Sequence, residues 1–220
     1  MLNRSQKFVL PGLALLTLAA VRPGGWAVIS VEELPDYVVA TTPVNLTFTV
    51  LQHGRTPLNG LKPRLEAEAG GVEVRTAATA GKRDGQYHAT LTLPRAGEWT
   101  ITIHSGFHES KVTLLPLTAV AAGTTAPAVS DAVRGQRLFA AKGCVGCHIH
   151  GAVAGEGVGV GPDLTARRYE AEYLKKLLAD PASVLTRREG PAQMPNLGLK
   201  QNEIAALVAF INTERRVGQR

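Results

Sequence analysis

The stretch Ala140-Ala-Lys-Gly-Cys144-Val-Gly-Cys147-His148-Ile-His-Gly151 holds both cysteines of the chain and two of its six histidines. Cys144-Val-Gly-Cys147-His148 admits three chemistries: a redox disulfide, half of a metal site, or the attachment point of a haem. A thioredoxin-like redox site places its cysteine pair at a helix start inside a βαβ pattern. Here the pair follows a helical pattern, and no strand pattern flanks it. A structural zinc site needs four ligands in a tetrahedron. Two cysteines crowded against His148 and His150 cannot close one, and no distant Cys or His pair completes it in this half. Haem fits the residues best. Two thiols one helical turn apart can add to two vinyl groups along one porphyrin edge, and His148 then lies under the iron.

The surroundings of the motif are helical. Ser130 or Asp131 can cap a first helix that runs to about Gly143. A second spans about Tyr169 to Ala179, with Tyr173, Leu174, Leu177 and Leu178 on one face, and is expected to stop at Asp180-Pro181. A third spans about Asn202 to Arg215, with Ile204, Leu207, Val208 and Ile211 at the spacing of a buried stripe. Gly- and Pro-rich segments separate them. Three short helices and long loops in about 90 residues make a thin core. A large apolar cofactor would fill it.

Haem iron takes a sixth ligand or keeps an open site. Met194, in Gln193-Met194-Pro195, lies in a Pro-bounded loop before the last helix, an odd place for a gap-filling core methionine. His148 with Met194 would make a six-coordinate iron of raised potential. His150 is the rival, but it is two residues from His148 and poorly placed to reach the opposite haem face. An open iron is the other alternative.

The remainder of the chain reads differently. Val44-Asn-Leu46-Thr-Phe48-Thr-Val50, Tyr87-His-Ala89-Thr-Leu91-Thr-Leu93 and Trp99-Thr-Ile101-Thr-Ile103 alternate apolar and polar, as half-buried strands do. Turn signals such as Asn59-Gly60, Gly70-Gly71 and Asp84-Gly85 separate them. Seven strands are expected, near 27–33, 44–52, 62–68, 71–78, 86–93, 98–104 and 109–115, forming an all-β immunoglobulin-like sandwich. Its histidines, His53, His88, His104 and His108, are accompanied by no Met or Cys and read as surface residues. Residues 116–130 are small, uncharged and aperiodic, the composition of a linker.

The N-terminus has a positive start (Arg4, Lys7), a short apolar stretch from Phe8 to Val21 and a small-residue exit at Gly25-x-Ala27, the three parts of a secretory signal. The apolar stretch falls short of the ~20 residues that span a bilayer. Residues 1–27 are therefore expected to be cleaved, placing the chain in the periplasm or on the outer face of the cytoplasmic membrane. Net charge is +6 over the whole chain, −1 over residues 23–130 and +4 over residues 131–220. That basic bias suits an acidic protein partner and is too interleaved with acids for nucleic acid. Lys142, Arg167 and Arg168, near the cysteine motif, are candidate docking charges.

Two resemblances follow. Asp84-Gly-Gln-Tyr87-His-Ala-Thr-Leu-Thr-Leu93-Pro-Arg-Ala-Gly97-Glu-Trp99 resembles the FixH or YtkA-like secreted β-sandwich family, over roughly residues 30 to 115. Gly135-Gln-Arg-Leu-Phe139 with Cys144-Val-Gly-Cys147-His148, then Gly161-Pro162-Asp163-Leu164-Thr165, Leu174-Lys-Lys-Leu177-Leu-Ala-Asp180-Pro181, Met194-Pro195 and Ile204-Ala-Ala-Leu207-Val-Ala-Phe210-Ile211, resembles a class I monohaem cytochrome c. Its middle part is similar to the cytochrome c domains attached to respiratory oxidases and nitric oxide reductases. The second resemblance implies an all-α cytochrome c fold over residues 131–220 and one covalent haem c. It implies thioethers at Cys144 and Cys147 and axial ligands His148 and Met194. The Pro162 carbonyl would accept a hydrogen bond from the His148 ring, and Gly135 and Phe139 would pack near Phe210. The family often has a Ser or Thr cap where this chain has Lys200-Gln-Asn-Glu203, and Asn202 is expected to cap instead. The expected role is single-electron transfer without a small-molecule substrate, in or docked to a membrane-bound redox complex. A haem enzyme or gas or redox sensor with an open sixth position is the alternative.

Overall fold

The computed structural model describes residues 25–153, 155, 159–185 and 194–213. The expected leader lies outside them up to residue 24. Among the described residues ten strands come first: β1 (Ala27–Val31), β2 (Tyr37–Val39), β3 (Val44–Gln52), β4 (Thr56–Pro57), β5 (Arg64–Ala69), β6 (Val72–Ala77), β7 (Thr79–Ala80), β8 (Gln86–Leu91), β9 (Gly97–His104) and β10 (Lys111–Val120). They form two five-stranded sheets. One runs β1-β3-β8-β7, with β4 paired on β3; the other runs β2-β10-β9-β5-β6. The seven longer strands are those the alternation predicts. β2, β4 and β7 are too short to carry a period.

The alternation translates directly into burial. Leu46, Phe48 and Val50 of β3 and Trp99, Ile101 and Ile103 of β9 are fully buried, as a period of two requires. Phe48 stacks on its cross-strand partner Tyr87 with ring centroids 6.0 Å apart. The Tyr87 hydroxyl donates to the Leu58 carbonyl (2.7 Å) and accepts from the Leu61 amide (3.1 Å). The Trp99 indole donates to the Arg95 carbonyl at 3.1 Å.

Two expected boundaries shift. β10 takes residues 116–120 from the stretch read as linker, because Leu117, Ala119 and Val120 are buried and Thr118, Ala119 and Val120 pair in parallel with β2. Pro116, which cannot donate to a ladder, falls where the register with β9 slips between Leu114 and Leu117. At the other end, a boundary after Ala27 cuts into β1. Ala27 already pairs with Gln52, and its amide donates to Ser110 Oγ at 2.9 Å.

Four helices follow among the described residues: α1 (Asp131–Ala141), α2 (Ala171–Ala179), α3 (Pro181–Val184) and α4 (Gln201–Ile211), with a 3₁₀ turn at Cys144–Gly146. Ser130 caps α1, its hydroxyl accepting from the Val133 amide. The break expected at Asp180-Pro181 is also a start. Pro181 opens α3 at its first position, where its missing N–H costs nothing, and Asp180 caps it. At α4 the capping differs from expectation: Lys200 is the N-cap residue, and the Glu203 carboxylate accepts from the Lys200 amide at 2.9 Å. Asn202 lies inside the helix. α1 crosses α4 closely, since a β-carbon on Gly135 would stand 1.9 Å from the Ala206 carbonyl oxygen. Phe139 and Phe210 meet edge-on beside it at 5.6 Å. No helix among the described residues is long and apolar enough to cross a membrane.

The helical and two-sheet regions share a packed seam. α1 lies against β10 and β1. Arg134 forks onto Asp36, with Nε and Nη2 2.9 and 2.7 Å from the two carboxylate oxygens. Arg137 donates to the Asp36 carbonyl at 2.8 Å, and Lys200 pairs with Glu33.

Candidate haem site

The helical pattern of α1 ends at Lys142. Gly143 then takes a left-handed conformation (φ 79°), which turns the chain into the 3₁₀ turn. Backbone bonds hold the turn: Gly146 N to Gly143 O (3.0 Å), Cys147 N to Cys144 O (3.1 Å) and His148 N to Cys144 O (2.8 Å). With three residues per turn, Cys144 and Cys147 lie on one side. Both thiols are free. Burial pushes the Cys144 thiol up to about 12, with its neighbour Cys147 adding to the rise and Lys142 opposing it. Burial raises Cys147 as well. A disulfide exchanger needs the opposite, a lowered thiol pKa at an electropositive site.

The segment after the turn is laced to residues 159–164. Gly161 N donates to Cys147 O (2.9 Å) and Leu164 N to Ile149 O (2.8 Å). Between these bonds, His148 Nδ1 lies 3.0 Å from the Pro162 carbonyl oxygen. The approach needs glycine at 161, where a β-carbon would stand 2.5 Å from His148 Cε1. A ring whose Nδ1–H is given to a carbonyl keeps Nε2 as the coordinating nitrogen.

His150 is committed elsewhere. It is buried with its ring 4.4 Å from Phe210 and 5.6 Å from Phe139, and Nδ1 accepts from the Ala152 amide at 3.2 Å. Met194 is half-buried and packs against the core, as do Tyr169, Leu177 and Leu199. Residues 186–193, which lead into it, lie outside the described residues. Arg167 and Arg168 are exposed, but Lys142 is no surface docking charge. It is buried (3% exposed), with Nζ 2.8 Å from Glu203 Oε1 and donating to the Glu32 carbonyl at 2.7 Å. Sequence reasoning missed this pairing because a lysine is seldom fully buried unless paired, and Glu203 is far away in the chain.

The four histidines of the two-sheet region are dispersed. His88 Nδ1 meets Thr47 Oγ1 (2.8 Å), His104 Nε2 meets Glu66 (3.0 Å), His53 packs on Trp26 and His108 on Phe107. Among the described residues no three His, Cys, Asp or Glu side chains are grouped to hold a metal ion.

Residues 132–214 match the family model for cytochrome c. This part of the chain is a cytochrome c domain. Such a domain implies bound haem c and supports haem-based electron transfer. The site has the chemistry for that group: paired free thiols on one side of a turn and an imidazole oriented through Nδ1, in a region whose Tyr169, Leu177, Met194 and Leu199 are only partly buried. A search of curated proteins finds no match. Among solved structures, domains 1–6 of the surface layer protein SbsC overlap 47% of this chain and 14% of that one, at 20% identity and a TM-score of 0.34. The superoxide reductase (neelaredoxin) from Ignicoccus hospitalis overlaps 46% of this chain and 86% of its own, at 18% identity and TM-score 0.31. The CARDB domain of the PF1109 protein from Pyrococcus furiosus overlaps 44% and 89%, at 11% identity and TM-score 0.28. These are likenesses of part of the chain.

Proposed function

We propose that the chain is an exported electron carrier holding one covalent haem c between His148 and Met194, working within or docked to a membrane-bound redox complex. The observation that carries this reading is the attachment turn, with both thiols on one side and His148 Nδ1 3.0 Å from the Pro162 carbonyl. Haem c would supply an iron that gains and loses one electron. The residues of the chain hold and tune it. Cys144 and Cys147 would fix one porphyrin edge. Pro162, through its carbonyl, keeps the His148 ring in one tautomer and orientation and raises its basicity as a ligand. Met194 would be the second residue to hold the iron and would raise its potential. With His148 and Met194 both holding the iron, the carrier would bind no substrate there. The signal-like leader supports export, since Phe8–Val21 is too short to span a bilayer. The two-sheet region, read as a FixH or YtkA-like sandwich, is a positioning module for the redox domain.

Met194→Ala tests the ligand assignment. The substitution is expected to abolish the weak red-end thioether-to-iron band, lower the potential and open the iron to carbon monoxide. An unchanged spectrum and potential would reject Met194 as ligand. Ready carbon monoxide binding by the unaltered protein would favour the open-site enzyme or sensor.

A further inference from the structure

The attachment turn has three sides, and the cysteines use one. A second side is covered by the two-sheet region. A β-carbon on Gly143 would lie 2.4 Å from Val28 Cγ1 and 2.7 Å from the Ile29 carbonyl oxygen, and one on Gly146 would lie 3.1 Å from Val28 Cγ2. Both glycines therefore face the same β1 side chain, which is 4% exposed. The third side carries Val145, against which a β-carbon on Gly155 would stand 2.8 Å from Cβ. Val28 also reaches towards the other half of the site. Its Cγ2 is 3.6 Å from a β-carbon built on Gly54, which is in turn 3.8 Å from Pro195 Cγ, next to Met194. The contact is latched by Lys142, two residues before Cys144. Its ammonium ties Glu203 of α4 to the Glu32 carbonyl, just beyond β1.

We propose that the two-sheet region is a fixed wall of the haem site. Val28 closes the outward face of the attachment turn, keeps water from it and bars redox partners from that face. Val28 is a positioning residue: it acts through the turn. An apolar wall limits solvent access and so holds the potential up. The potential part of this proposal rests on the haem reading above; the contact itself does not.

The test uses the full chain as purified, with Val28→Ala, Val28→Asp and the conservative Val28→Ile. Hydrogen exchange of the Gly146 and Cys147 amides is expected to speed up at least about tenfold in V28A and V28D, the signature of local opening. It should stay at the native rate in V28I. In haem-bearing V28D, the ratio of reduced to oxidised protein at fixed poise should fall about tenfold, or about 59 mV for one electron. Native exchange rates in V28A overturn the wall. An unchanged potential in haem-bearing V28D overturns its tuning role. Should V28D not accumulate, V28A carries both measurements. Failure of the haem reading looks different: the unsubstituted chain would carry no covalent haem, while the exchange measurement would still decide the contact.

Discussion

The two regions of this molecule solve the problem of a core in opposite ways. The two-sheet region fills its interior with its own side chains. Trp99, Tyr87, Phe48 and a ring of Leu and Ile are fully buried, and the Trp99 and Tyr87 polar atoms are hydrogen-bonded. The helical region packs α1 on α4 tightly but leaves Tyr169, Leu177, Met194 and Leu199 only partly buried, and it carries two free thiols. The difference teaches where the cofactor belongs: one region is complete as protein, and the other is the cytochrome c domain, which implies bound haem c.

The largest expected effect sharpens that contrast. Cys144→Ala with Cys147→Ala should abolish covalent haem and remove most of the helical circular dichroism, while the β3 and β9 amides keep native hydrogen-exchange protection. Equal loss in both regions would break the comparison.

The seam comes next. Lys142→Met leaves Glu203 as a buried unpaired carboxylate, and breaking a buried pair this way costs about 3–5 kcal/mol. Denaturant melts should show that loss and its recovery when Glu203→Leu is added.

Within the two-sheet region, Tyr87→Phe removes the partner of the Leu58 carbonyl and the Leu61 amide. Such a buried loss costs about 1–3 kcal/mol. The melt should shift and the reduction potential should not.

The smallest effect is a pH dependence. The Arg134 fork, aided by the charge of Arg137, holds the Asp36 carboxyl below its ordinary 3.8 despite partial burial. The folded chain thus binds this proton less readily than the unfolded one. The pair's contribution is complete above pH 3.8 and is lost as pH falls further, and Asp36→Asn should flatten that part of the stability curve.

What was legible in the sequence follows the same division. Strands with three or more alternating apolar residues, such as β3 and β9, declare themselves. β2, β4 and β7 do not, and the tail of β10 hides in a stretch of small residues. In the helical region the Cys144–His148 motif and the stripe of α4 are local patterns. The Pro162 carbonyl entered only through the resemblance, because a backbone acceptor has no sequence signature. The seam was invisible. Asp36 and Arg134 are 98 residues apart, and Lys142 reads as a docking charge until the fold buries it against Glu203. Val28 reads only as one more apolar strand residue, yet it lies on Gly143 and Gly146.

The most direct measurement of the central claim is the intact mass of the purified, denatured chain. Haem c held through Cys144 and Cys147 predicts a mass raised by one haem, lost in the double Cys→Ala variant. A haem-free mass from cells competent in haem attachment, with the two thiols free or joined as a disulfide, would contradict it.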